Sequence, residues 1–278
     1  MSPIERAARA ISEADALLIG AGAGMGVDSG LPDFRGNHGF WQAYPPYAKL
    51  GLDFVSLANP GWFRRDPTLA WGFYGHRMEL YRRTMPHAGF AILREWAKSK
   101  RHGGFVFTSN VDGQFQRSGF DPERIVQIHG AFDGMQCLDD CGIGVFSGDA
   151  VTVEIDKETM RAVPPLPICP RCGTVARPNI LMFGDGGWDS AWTARQERRF
   201  STWLGSLGGA RLTIVELGAG QAIPTVRNLS ERIARLEQGT RLIRINPRDP
   251  QVPTGHISIP ESALTALSAI DSIVKPAT

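Results

Sequence analysis

Four cysteines carry the clearest chemical signal in this chain: Cys137, Cys141, Cys169 and Cys172. They fall as two close pairs, Cys137-x3-Cys141 and Cys169-x2-Cys172, and each pair can offer two thiolates to one ion. Gly173 lets the chain turn tightly past the second knuckle. Two disulfides would need an oxidising compartment, and no export signal is read in the sequence. A redox Cys-x-x-Cys would leave Cys137 and Cys141 unexplained. The expectation is one structural Zn2+. Four sulfurs close its coordination sphere, so the metal holds a module together and does not catalyse.

A second set of residues follows short apolar runs. Gly20, Gly22, Gly24 and Gly26 come after Ala16-Leu17-Leu18-Ile19. Glycines there let backbone N–H groups approach a pyrophosphate, although such runs also serve as plain turns. Asp33 and Arg35 flank Phe34, which reads as a surface ion pair or as a mobile cover. In the second case Arg35 holds phosphate or carboxylate and Phe34 shields a reactive centre. Asn110 and Asp112 follow Phe105-Val106-Phe107-Thr108, as an Asx turn or as ligand contacts. His129 follows Ile125–Ile128 and precedes a glycine, so its ring should project into a ligand crevice, where imidazole suits proton transfer. His38, His76, His87, His102 and His256 lack such a setting and read as surface or structural.

One kind of element must position all of these. The runs at 16–19, 105–108, 125–128, 212–217 and 242–245 read as buried parallel strands. Helical periodicity covers 3–14, 88–100 and 225–238. Alternating strands and helices predict an α/β fold, a doubly wound parallel, Rossmann-like sheet. Ligands then lie beyond the carboxyl ends of the strands, and the loops there begin at Gly20, Ser109, His129, Gly218 and Asn246. Two insertions are expected within a single unit over 1–278: an aromatic-rich helical lobe at 36–90 and a zinc module at 133–178. Residues 151–155 alternate like an exposed strand.

The composition fits a folded chain. Of 278 residues, 42% are hydrophobic and 21% charged, which argues against disorder. A net charge of +2 argues against nucleic acid or an anionic membrane surface as partner. No apolar stretch is long enough for a bilayer. Glu5, Glu13 and Asp15 before the first apolar run argue against a secretory signal, so the expected location is cytoplasmic.

The stretch Gly22-Ala23-Gly24-Met25-Gly26-Val27-Asp28-Ser29-Gly30-Leu31-Pro32-Asp33-Phe34-Arg35 resembles the first signature of the sirtuins, the NAD-dependent protein deacylases of the Sir2 family. Thr108-Ser109-Asn110-Val111-Asp112-Gly113, Ile128-His129-Gly130, the cysteine pairs, Arg177 to Asp185, and Ile245-Asn246 are similar to further motifs of that family, in the same order. The likeness covers residues 10–260. It implies NAD as co-substrate, held by Gly22, Ala23, Gly26, Asp33, Phe34, Arg35, Ser109, Asn110, Val111, Asp112, His129, Gly218, Ala219 and Asn246. It implies that Asn110 and Asp112 grip the nicotinamide ribose and carboxamide, and that His129 is the general base. In the implied reaction an acyl-lysine carbonyl oxygen displaces nicotinamide from the ribose. His129 then takes a ribose hydroxyl proton, and water completes the transfer to give free lysine and O-acyl-ADP-ribose. The implied partner is an acyl-lysine protein or peptide.

Several positions depart from the family pattern. Gly26 stands for serine, Ser109 for glutamine, Phe115 for histidine and Asp185 for glutamate, and the first knuckle is one residue longer. Gly218 to Pro224 also differs, in a segment that the family pairs with Phe183–Asp185 to hold the peptide as an added strand. The first loop, with Asn110-Val111-Asp112 and Phe115-Gln116, also resembles a microbial branch linked to macrodomain proteins. That branch transfers ADP-ribose to proteins and lacks the catalytic histidine. His129 favours deacylation, with ADP-ribosyl transfer as the alternative; together with Asn110 and Asp112 it argues against mere NAD sensing, and NAD hydrolysis would follow if the site admits water where acyl-lysine should lie. A short apolar acyl group is expected in preference to an acidic one, with the lobe's tyrosines read as lacking a partner at Tyr-x-x-Arg spacing.

Overall fold

The computed structural model describes residues 1–32, 45–49 and 51–274. Its apolar runs build one six-stranded sheet. The strands are β1 (Ala16–Ala21), β2 (Gly104–Thr108), β3 (Ile125–Gln127), β9 (Leu212–Leu217), β10 (Arg241–Ile245) and β11 (Ile257–Ile259). All are parallel, in the order β11-β10-β9-β1-β2-β3. Side chains alternate between faces along each strand. Leu17 and Ile19 of β1 enter one core, while Ala16 and Leu18 enter the other.

Helices cover both faces. The first core receives α1 (Pro3–Glu13), α3 (Ala88–Lys98) and α6 (Ala263–Val274) through Ile11, Leu93, Trp96 and Leu267. The second receives α4 (Ala191–Gly205) and α5 (Thr225–Leu236) through Phe200, Trp203, Val226 and Ile233. The start of α1 is set locally: Ser2 and Glu5 form a reciprocal capping box and Pro3 opens the helix. This is the doubly wound sheet expected from the sequence.

The helices between β1 and β2 and the cysteine-bearing region between β3 and β9 pack into a common core. The lobe contains α2 (Pro67–Arg83) and shorter helices at Pro45–Lys49, Phe54–Leu57 and Trp62–Arg65. The cysteine region contains a three-stranded sheet of β5 (Phe146–Ser147), β4 (Gly130–Cys137) and β8 (Ala176–Ile180), and a hairpin of β6 (Glu154–Asp156) and β7 (Arg161–Val163). Phe63, Trp71, Phe73 and Tyr74 of the lobe share one apolar cluster with Phe132, Met135, Ala162 and Ile180. The hairpin lies directly on α2. A Cβ added at Gly72 would sit 2.0 Å from the Met160 carbonyl oxygen, and one at Gly75 would sit 2.9 Å from Val153 Cβ. Tyr47 Oη donates to the same Met160 oxygen at 2.8 Å, and Arg161 pairs with Asp66 at 2.8 Å.

Candidate active site

The sheet order changes direction between β1 and β9, so the loops leaving these strands part and open a crevice at their carboxyl ends. The loops meet at its floor. Gly22 N–H donates to Leu217 O at 2.9 Å and Gly24 N–H to Gly218 O at 3.2 Å. Gly218 has φ +58, and a Cβ there would lie 2.4 Å from Gly24 Cα. Only glycine meets both demands. Gly22 precedes, and Ala23 opens, a 3-10 turn over Ala23–Ser29 that contains Gly26. A Cβ at Gly26 would face Leu31 at 3.1 Å, so glycine in place of serine accompanies an apolar neighbour.

The loop after β2 is fastened to this floor. Thr108 Oγ1 donates to Ala21 O at 2.9 Å, Ser109 N–H to Ala21 O at 3.1 Å, and Asn110 Nδ2 to Gly22 O at 3.0 Å. Val111 turns into the apolar cluster of the lobe. Asp112 Oδ1 accepts from Gln114 N–H at 2.9 Å, which is the Asx turn. Burial pushes the Asp112 carboxyl above the ordinary carboxylate range, against the pull of that N–H. Gln114 is 1% exposed; its Oε1 accepts from Ser29 Oγ at 3.1 Å, and its Nε2 lacks a partner among the described residues.

His129 follows β3, half-buried, and its carbonyl accepts from Leu181 N–H at 2.9 Å. Its Nε2 lies 3.4 Å from Thr225 Oγ1, at the start of α5. Burial lowers the imidazole's affinity for a proton, and a contact with the Ser109 backbone opposes this. The ring is therefore held toward its neutral form, the form that can accept a proton. Asn246 closes the far side. Its Nδ2 donates to Ala219 O at 3.0 Å, and its Oδ1 accepts from Arg248 and Asp249 N–H at 3.0 Å each. Most of its polar capacity joins loops, which leaves one amide hydrogen.

The crevice thus gathers Gly22, Ala23, Gly26, Ser109, Asn110, Asp112, His129, Gly218, Ala219 and Asn246 around the ends of β1, β2, β3, β9 and β10, with Val111 turned behind it. A cleft within it is lined by Gly24, Asp28, Gly218, Asn246 and Arg248. Asp33, Phe34 and Arg35 lie outside the described residues. Another cleft, of about 420 Å3, runs between Gln136–Gly144 and Gly187–Ala191 and contains none of these groups.

Two features escape or contradict the reading of the sequence, and a third gives it detail. Thr225, beside His129, carries no motif. His87 is structural, as expected, and its role is now specific: Nδ1 accepts from Gly89 N–H at 3.0 Å, so Nε2 donates to Met25 O at 3.0 Å and steadies the glycine turn. The lobe does hold a Tyr-x-x-Arg spacing, in Tyr74-Gly75-His76-Arg77. Arg77 is 6% exposed, stacks among Phe54, Phe73, Tyr74, Tyr81 and Phe132, and donates to Tyr81 Oη at 2.7 Å. The preference for an apolar acyl group loses its basis there.

Asp185, which stands where the family pattern has glutamate, is firmly held. Arg177 forms a bidentate pair with it at 2.7 and 2.9 Å, and both side chains are buried. Beside this pair Phe183 stays 37% exposed.

The four cysteines converge, with their sulfurs all within 4.8 Å of one another. The Cys137–Cys172 and Cys141–Cys169 sulfur separations are 3.5 and 3.6 Å. A disulfide would need about 2.05 Å. A tetrahedron with Zn–S bonds of about 2.3 Å has sulfur–sulfur edges of about 3.8 Å. The set fits one structural Zn2+, and no sulfur is left over for catalysis.

The Sir2 family model matches residues 22–201 of the chain. An NAD-dependent protein deacylase 2 of Pyrobaculum aerophilum is 33% identical over 230 residues, which cover 82% of this chain and 78% of that protein. An NAD-dependent protein deacylase of Thermus thermophilus is 29% identical over 274 residues, covering 97% and 94% respectively. A solved structure described as a mutant Sir2 homologue in complex with ADP ribose superposes with a TM-score of 0.70 at 25% identity, over 98% of this chain and 96% of that one.

Proposed function

The chain belongs to the Sir2 family, and on that premise we propose that it is an NAD-dependent protein-lysine deacylase with His129 as its general base. The reaction consumes NAD, acyl-lysine and water, and yields nicotinamide, free lysine and O-acyl-ADP-ribose. The observation that carries this reading is the half-buried imidazole of His129, set beside the loop of Asn110 and Asp112 at the rim of the glycine floor, where burial disfavours its protonated form.

Each group has a task. The N–H groups of the Gly22–Gly26 turn and of the Gly218 loop receive the pyrophosphate. Asn110, already fixed to Gly22 O, presents its remaining amide edge to the nicotinamide ribose. Asp112 meets the carboxamide. His129 takes the ribose hydroxyl proton. Asp33, Phe34 and Arg35 cover the site and exclude water, which would otherwise hydrolyse the glycosidic bond. Phe183 and the Gly218–Pro224 segment flank the substrate peptide. One Zn2+ on the four thiolates fastens β4 and β8 at the base of the cysteine module. Reduced thiolates suit a cytoplasmic location. Among the described residues no helix is long and apolar enough to cross a membrane.

Mass spectrometry of a reaction with NAD and an acetyl-lysine peptide, compared with His129→Ala, tests the proposal. Acetyl-ADP-ribose from the wild type and none from the variant is expected. ADP-ribose attached to protein would instead support transferase activity. That second reading draws on Phe115-Gln116 after Asp112 and on the altered Gly218–Pro224 segment. Free ADP-ribose without deacylation would indicate an NAD hydrolase. Intact NAD with a longer or acidic acyl-lysine as well would remove the enzymatic reading.

A further inference from the structure

A second set of charges lies beneath the crevice, and the catalytic reading does not use it. Arg244 on β10 stands directly opposite Glu216 on β9, and both side chains are 0% exposed. The pair is bidentate, through Arg244 Nε to Oε1 and Nη2 to Oε2. Arg244 Nη2 also reaches Glu231 on α5 at 2.9 Å, and its Nη1 donates to the Gln251 carbonyl. Arg227, one turn earlier on α5, donates to Asp249 O at 3.0 Å and to Gln251 O at 2.8 Å. Between them Ser258 Oγ donates to Pro250 O at 2.6 Å.

Three consecutive carbonyls, at 249, 250 and 251, are thus held by side chains from the body of the fold. Asn246 holds the front of the same loop through the N–H groups of Arg248 and Asp249. Asn246, Pro247 and Arg248 line the glycine crevice. Pro247 and Pro250 restrict the backbone between the anchors. A buried ion pair commonly adds little net stability over an apolar pair of the same volume. What it supplies here is two guanidinium forks fixed in direction, each aimed at loop carbonyls.

We propose that Arg227 and Arg244 are positioning residues for the nucleotide. They hold the 246–251 loop against the glycine floor and thereby set the affinity for the adenosine end of NAD. Glu216 and Glu231 keep the two guanidinium groups aligned. The proposal rests on the nucleotide reading of the crevice.

Calorimetric titration with ADP-ribose, together with NAD kinetics and thermal melting, tests it on wild type, Arg227→Met, Arg227→Lys and the double variant Glu216→Leu with Arg244→Met. Arg227 sits at the edge of the network, and the double change leaves no lone charge at the centre of the sheet. Losing the fork to two carbonyls should weaken ADP-ribose binding about tenfold in Arg227→Met, the scale of one charge-assisted hydrogen bond. KM for NAD should rise by a similar factor while kcat stays within about twofold. Arg227→Lys should recover only part, because an ammonium cannot span both oxygens. The double variant should behave like Arg227→Met. Folded variants that melt lower yet bind ADP-ribose as the wild type does would show a purely structural network and overturn the proposal. Failure of the wild type itself to bind ADP-ribose would remove the nucleotide reading, and this proposal with it.

Discussion

Gly218→Ala separates backbone strain from loop collision at the floor of the crevice. Gly218 and Gly239 both have positive φ, +58 and +81. Alanine at either position bears a left-handed penalty of about 1–2 kcal/mol. At Gly239 the new methyl meets nothing within 4 Å, whereas at Gly218 it lies 2.4 Å from Gly24 Cα, Gly24 C and Met25 N. Carbon contacts settle near about 3.5 Å, so the two glycine loops must part by about 1 Å. Overpacking of this kind costs a further ~1–3 kcal/mol. At about 2–4 °C per kcal/mol, Gly218→Ala should melt roughly 2–12 °C below Gly239→Ala. A shift of about 1 Å in the groups that receive pyrophosphate should weaken ADP-ribose binding on the order of a hundredfold. Gly239→Ala should bind as the wild type does. Differential scanning calorimetry and titration with ADP-ribose give both quantities. Equal affinity in the two variants would refute the claim that contact between these loops shapes the site.

Burial depresses the His129 pKa below 6.5; its neutral form therefore persists into mild acid, and kcat/KM for deacylation should fall only below pH 6.5, with an inflection absent from any residual activity of His129→Ala. The same shift affects stability: the neutral ring is accommodated above pH 6.5, and the folded state loses support as pH falls toward the depressed value, so His129→Gln should flatten the acid limb of a stability–pH curve. Gly72→Ala should destabilise by about 1–3 kcal/mol despite alanine's better helix propensity, because its methyl meets the Met160 carbonyl oxygen at 2.0 Å; a melting temperature at or above wild type would contradict the packing described. Removal of metal by a strong chelator should release one zinc per chain and lower the melting temperature, and Cys172→Ser should imitate it; a chain without zinc but with unchanged stability would exclude the structural site.

The main sheet is legible because its strands are short, mostly apolar runs, interrupted only by residues such as Gln127, Glu216 and Arg244, and parallel strands buried on both faces leave that trace. β11 was not legible: Ile257-Ser258-Ile259 is too short for a period to show. α4 was obscured because its buried positions include Thr193 and Gln196, and arginines crowd its exposed face. The polar site residues could be found because each follows a strand. Thr225 could not, since its approach to His129 depends on how α5 crosses the end of β3. The network of Glu216, Arg244 and Arg227 reads in sequence as isolated charges, and only pairing in register brings it together. Arg77, by contrast, stands at Tyr-x-x-Arg spacing from Tyr74 in the sequence itself.

The glycine seam of α2 bears on how this architecture can be recombined. The β6–β7 hairpin is fitted against Gly72 and Gly75 with no room for a methyl, and Tyr47, Asp66 and Arg161 latch it there. The cysteine module and the helical lobe are therefore not two interchangeable cassettes on a shared chassis. A chimera that imports one from a relative must import the other, or at least the helix surface that receives it, for the graft to seat.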